Sequence, residues 1–146
     1  MAEKIFDDAG FIISTTSTDH DLTDHVRSLE LSYSAELQDI SAMGVSNRRR
    51  IAGLTDWTAT VEMNQDFGES TGYDVDGALF SLIGSSSVLL IMRVESTQNR
   101  AATNPEFQGL ACLESYQPIG NAIGEAATVT ATFQAAGVLS RLTSST

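Results

Sequence analysis

The sequence predicts a mostly β fold, an antiparallel β-sandwich or barrel of about six to seven strands with one short flanking α-helix at about residues 74–84. Three observations lead there. Apolar and polar side chains alternate with period two in several segments, which sets one face of a strand on a core and the other in water. One window carries apolar residues at helical spacing. The stretches between read as turn punctuation and polar loops.

In chain order, residues 10–15 are a short strand candidate, and residues 19–25 read as a solvated acidic turn. Leu29, Leu31, Tyr33, Ala35 and Leu37 then alternate with Glu30, Ser32, Ser34 and Glu36, which predicts a half-buried strand. A long polar loop at 38–50 follows, carrying Gly44 and the run Arg48, Arg49, Arg50. Trp57, Ala59, Val61 and Met63 alternate with Asp56, Thr58, Thr60, Glu62 and Asn64, so the next strand has the same two faces, with Trp57 as a core aromatic. Asp74 or Asp76 can cap a helix whose Val75, Leu79, Leu82 and Ile83 share one side, and Gly84 stands where a left-handed C-cap belongs. Leu79, Leu82 and Ile83 are expected to cover the sheet, with Phe80 near a subunit boundary. Residues 88–94 are apolar on both sides and predict a central strand. Strands at 107–116, 127–133 and 138–142 complete the set.

Length and composition bound the function. The chain of 146 residues fits one domain over 1–146, with frayed ends at about 1–8 and 143–146. Charged residues make up 18%, below the usual ~25%, and 17 Ser and 15 Thr fill the gap. The longest apolar run, 88–92, ends at Arg93, far short of the ~20 residues of a bilayer span, so no membrane partner is expected. The opening Met1–Asp8 segment lacks a basic stretch feeding an apolar one, which predicts no secretory signal and folding in a cytoplasm. Cys112, the only cysteine, excludes an internal disulfide and is expected as a small core residue. Net charge is −11, with 15 acids and 5 bases in residues 1–76 against 4 and 3 in the remainder. With one lysine in the chain, specific nucleic-acid binding is disfavoured, because that affinity comes largely from Lys and Arg displacing counterions.

No constellation carries catalysis. Asp19, Asp21, Thr23 and Glu30 fall at positions 1, 3, 5 and 12 of a calcium loop. Asp24 replaces its turn glycine, however, Arg27 takes a ligand position, and the flanks are strands. Zinc on His20 and His25 is no better supported. Neither a nucleophile elbow nor a phosphate loop is present. No enzyme, metal or cofactor is expected. The three arginines at 48–50, three of the eight positive charges gathered in one loop of an acidic chain, suggest a contact with a second copy of the molecule.

Several ordered motifs resemble the major tail, or tail tube, proteins of long-tailed bacteriophages. They are Asp21-Leu22-Thr23-Asp24-His25-Val26-Arg27-Ser28-Leu29, Ala42-Met43-Gly44, Arg50-Ile51-Ala52-Gly53-Leu54-Thr55-Asp56-Trp57 and Ala78-Leu79-Phe80-Ser81-Leu82-Ile83-Gly84. Ala102-Thr103-Asn104-Pro105-Glu106-Phe107-Gln108-Gly109 and the 120–124 loop extend the likeness. The resemblance implies a structural virion protein with the predicted fold, forming hexameric rings stacked into a tail tube through which the genome passes. Its location would be the virion tail, assembled in the host bacterial cytoplasm. Tape measure, tail-tip and tail terminator proteins would be further partners, and DNA would pass without specific binding. The fold is also similar to that of type VI secretion tubes, one alternative; a virion decoration or carbohydrate-binding sandwich is another. If two such strands join side to side around a ring, Glu30, Ser32, Ser34, Glu36, Asp56, Thr58, Thr60 and Glu62 are expected to line an acidic lumen, with Met43, Arg48, Arg49 and Arg50 in contacts between subunits.

Overall fold

The computed structural model describes residues 8–15, 19–44, 46–67, 75–85 and 87–144. Eight strands form one sheet: β1 (Gly10–Ser14), β2 (Asp19–Asp21), β3 (Val26–Asp39), β4 (Arg50–Asn64), β5 (Val88–Arg93), β6 (Glu106–Tyr116), β7 (Thr128–Ala135) and β8 (Ser140–Leu142). The order is β2-β1-β5-β6-β7-β4-β3, every pairing is antiparallel, and β8 pairs with β6 off this path. Strand β6 turns the corner. Its residues 106–111 pair with β5 and its residues 111–116 pair with β7, with an irregularity between Leu113 and Ser115. A strand that changes partners in this way bends one half of a sheet over the other. The rings of Phe11 on β1 and Phe133 on β7, strands far apart in the order, therefore meet at 6.1 Å.

Alternation then fills the interior. Trp57, Ala59, Val61 and Met63 from β4, Val129, Ala131 and Phe133 from β7, and Val88, Leu90 and Met92 from β5 are all buried in one cluster. Trp57 is 2% exposed and donates its indole N–H to the Gly137 carbonyl at 2.9 Å. Gly109 lies under it; a Cβ there would stand 2.5 Å from Trp57 Cζ2, so only glycine lets β6 bend against the indole. Beside the bend, Glu106 is buried between Arg93 and Arg100 and accepts from Gln108 at 2.7 Å. Burial would raise its carboxyl, but the hydrogen bonds of Arg93 and Gln108 and the two guanidinium charges outweigh this and hold it below the usual range. Asn104, 2% exposed, donates to the carbonyls of Glu95, Gln98 and Asn99 and so folds the loop before β6.

Helix α1 (Val75–Phe80) continues as a turn to Gly84, whose φ of +90° is the left-handed C-terminal residue the sequence predicts. Val75, Ala78, Leu79 and Leu82 are buried, whereas Ile83 is 49% exposed and does not cover the sheet: the helix stops at Phe80, so helical spacing no longer governs which way Ile83 points. Asp76 lies inside the helix rather than capping it, and accepts from the Tyr116 hydroxyl at 2.8 Å. Burial and the Asp76 contact push that phenol up to about 12. The alternative cap, Asp74, lies outside the described residues.

Other sequence expectations are corrected. Residues 19–25 are a strand and a 3-10 turn rather than a free turn, because Asp19–Asp21 pairs with β1 and Leu22 is fully buried. The loop at 38–50 is shorter than expected: β3 runs to Asp39 and β4 begins at Arg50, and Ile40 N–H still donates to the Arg49 carbonyl at 2.8 Å. Cys112 is only half-buried, since it shares with its partner Gln134 the face turned away from the core. Of the expected frayed ends, residues 1–7 and 145–146 lie outside the described residues.

Candidate assembly surface

The faces of β3 and β4 follow from strand parity. Register pairs Glu30 with Thr60, Ser32 with Thr58 and Ser34 with Asp56, and sets Ser28 opposite Glu62. These side chains therefore share one polar face with Glu36, while Leu29, Leu31 and Tyr33 share the other with Val61, Ala59 and Trp57. Strand β7 widens the polar face with Thr130, Thr132 and Gln134 opposite Glu62, Thr60 and Thr58, and Glu114 of β6 joins through a 2.7 Å hydrogen bond from Gln134. Those β7 and β6 residues were missed by sequence reasoning, although the alternation within 128–134 contained the signal. One base softens the acidity: Arg27 reaches Glu62 at 3.7 Å. Gln38 donates to Glu36 at 2.7 Å, and Thr58 Oγ1 donates to Gln134 at 3.2 Å.

Beyond Trp57 the two strands leave the body of the molecule. The β7 pairing of β4 begins only at Thr58, so residues 50–57 have β3 as their sole neighbour in the sheet. Tyr33 lies on the apolar face as expected yet is 57% exposed, because the fold ends beneath it. It borders, with Leu29, Leu31, Met92, Phe107 and Leu139, an apolar groove of about 350 Å³ along the open side of the curled sheet. At the tip of the projection Met43 is fully exposed beside Gly44, whose φ is +91°. Arg48 pairs with Asp39 at 3.6 Å, Arg49 is tied through its backbone N–H to Ser41 Oγ at 2.7 Å, and Arg50 opens β4. The four predicted contact residues thus stand together on one projection.

Among the described residues no three His, Cys, Asp or Glu side chains gather where they could hold a metal ion, and Asp19, Asp21, Thr23 and Glu30 form no such group. No helix among them is long and apolar enough to cross a membrane.

The sequence matches no protein-family model and no curated protein. Its fold, by contrast, is that of solved tube proteins. The tail of an empty gene transfer agent particle, determined with sixfold symmetry, superposes with a TM-score of 0.70 at 15% identity, over 96% of this chain and 99% of the other. The SPP1 tail tube gives 0.72 at 11% identity over 95% and 78%. The sheath–tube complex of an extracellular contractile injection system gives 0.62 at 16% identity over 92% and 88%. The chain thus has the fold of phage tail tube and injection tube proteins, as its motif order suggested.

Proposed function

We propose that this chain is the structural subunit of a tail tube, a non-enzymatic virion protein of one domain that polymerises into rings stacked around a channel. The observation that carries the reading is a single curled sheet with tube-protein topology along nearly its whole length, ending in a polar-faced edge strand, β3, whose outer edge pairs with no other strand among the described residues. An edge of 14 residues invites pairing with another chain, and closing copies into a ring removes it. Six copies per ring is the number we assign, supported by the sixfold symmetry of the gene transfer agent tail.

In that ring the face bearing Glu30, Ser32, Ser34, Glu36, Asp56, Thr58, Thr60 and Glu62 lines the channel. Carboxylates repeated around it repel DNA phosphates, and the hydroxyls between them keep the wall wetted, so nucleic acid slides without adhering. Tape measure, tail-tip and terminator proteins are the partners proposed at the lumen and the two ends; a solved tube terminator of an injection system shares the fold. The proposed location is the virion tail, with assembly in the host bacterial cytoplasm. A tube for protein export is the second reading, favoured by the injection-system likeness. Negative-stain microscopy of the concentrated protein tests both: rings or tubes are expected, and featureless monomers would overturn the assembly reading. Recovery of the chain from purified DNA-containing particles then separates tail from secretion tube.

A further inference from the structure

We infer that residues 1–7, which lie outside the described residues, fold back over the apolar groove of their own molecule and seat Ile5 and Phe6 in it. The groove plays no part in the proposed channel wall. Strand β3 gives it Leu29, Leu31 and Tyr33, while Met92, Val94 and Phe107 border it from the end of β5 and the start of β6. By parity those β3 residues point away from Ser32, Ser34 and Thr58, so whatever fills the groove leaves the polar face free. Leu29, Leu31, Phe107 and Leu139 pack against the core yet are only partly buried, and Tyr33 is 57% exposed. An apolar space of about 350 Å³ open to water is unfavourable until something apolar covers it.

The occupant is identified by where the chain enters the sheet. Gly10 pairs with Arg93. Two residues earlier the Asp8 carbonyl accepts from Ser96 N–H at 2.7 Å, and its carboxylate accepts from Ser96 Oγ at 2.8 Å and from Thr97 Oγ1 at 3.0 Å. Asp8 also bridges Glu95, the residue after Val94, and is thereby pinned at the rim of the groove. Phe6 and Ile5, the segment's one pair of adjacent large apolar residues, stand two and three positions upstream, roughly 7–10 Å of chain at ~3.3 Å per residue. So short a tether gives this pair a high effective concentration over the groove, against which a separate molecule competes poorly. Arg93 adds a demand for main chain. It borders the groove with its Nε buried and without a hydrogen-bond partner among the described residues, although its terminal nitrogens serve the Gln98 carbonyl and Glu106. A peptide segment crossing beside it brings carbonyl acceptors, which a hydrocarbon ligand lacks. Seated there, residues 1–7 act as a cover that keeps free subunits from adhering through the groove.

Thiol protection tests this in dilute, dissociated subunits on a Cys112→Ser background. The thiol of Leu139→Cys should react slowly with a maleimide while residues 5 and 6 are native, and roughly tenfold or more faster once Ile5→Ser and Phe6→Ser are added, because a covered thiol reacts only through local opening. Ile5→Leu with Phe6→Leu should restore the slow rate, and Ile123→Cys, outside the groove, should react alike in every background. Tyr33→Cys is the second reporter, for the case where Leu139→Cys disturbs the fold, which circular dichroism would show. The slow rate should not vary with protein concentration. Rates indifferent to the serine substitutions at both reporters overturn the inference. Protection that grows with concentration overturns it as well, since the cover then comes from a second copy. Neither result bears on the tube reading, which microscopy of the concentrated protein tests separately.

Discussion

At the residue scale, two positions expose how little freedom the β6 corner has. Gly109→Ala should cost about 1–3 kcal/mol, because the added methyl displaces the Trp57 indole from a closely packed site. Denaturant titration read by Trp57 fluorescence measures this, and an unchanged midpoint would mean the indole has room. Glu106 is the other. Replacing it with Gln leaves Arg93 and Arg100 without their carboxylate, an expected loss on the order of 3 kcal/mol at pH 7. Its folded pKa lies below the ordinary glutamate value of 4.5, so the stabilisation is present above that pH and is lost as pH falls through the folded value. The gap between wild type and Glu106→Gln should accordingly shrink in acid melts; a constant gap from pH 7 to pH 3 would contradict the charge argument. Gly109 was quoted in the sequence only as part of a motif. Its reason was illegible there, because Trp57 is 52 positions away and nothing local marks the approach.

At the element scale, alternation made β4 and β7 readable, since each keeps one face on the core for several residues in succession; β3 was readable from the same alternation, but only Val26, Leu29 and Leu31 rest partly against the core, and Tyr33, Ala35 and Leu37, expected on a half-buried face, are exposed. Strand β2 escaped. Three residues, Asp-His-Asp, carry no apolar face, and only their pairing with β1 makes them a strand. The outer limits of the hairpin were hidden for a related reason: ladder hydrogen bonds, not burial, hold residues 38–39 and 50–51, and the pattern in a sequence reports burial. Helix α1 offers a paired test of its packing. Leu82→Ala should lose ~2–5 kcal/mol, whereas Ile83→Ser, already half in water, should leave the thermal midpoint nearly unchanged. Equal shifts would mean the helix is rotated from this placement. For the β3–β4 projection, changing Arg48, Arg49 and Arg50 together to Ser should preserve the melt, since only Arg48 among them makes a side-chain ion pair among the described residues, worth ~0–1 kcal/mol at the surface. Polymerisation followed by light scattering should nevertheless slow, and wild-type kinetics would remove the arginines from the contact.

At the scale of the whole molecule, the proposed channel wall makes a geometric demand. Cysteines placed at positions 30 and 62 should react with a bulky maleimide in dissociated subunits and resist it in assembled tubes, because a face turned inward is reached only from the tube ends. Equal labelling in both states would put that face outside. The shared polar face of β3 and β4 was legible from parity alone, but the groove beside Tyr33 was not, for it exists only where the sheet curls and then stops. That stop has a thermodynamic corollary. The sheet order begins with a strand of three residues and ends with one of 14, so the folded chain on its own leaves one of its two longest strands half bonded. Whatever occupies that edge binds the native state and not the unfolded one, which by mass action adds about 2.7 kcal/mol at a hundredfold excess over the dissociation constant. If the proposed assembly fills that edge, the melting temperature of this protein should climb with its concentration, because a neighbouring copy then supplies the ladder that the lone subunit lacks.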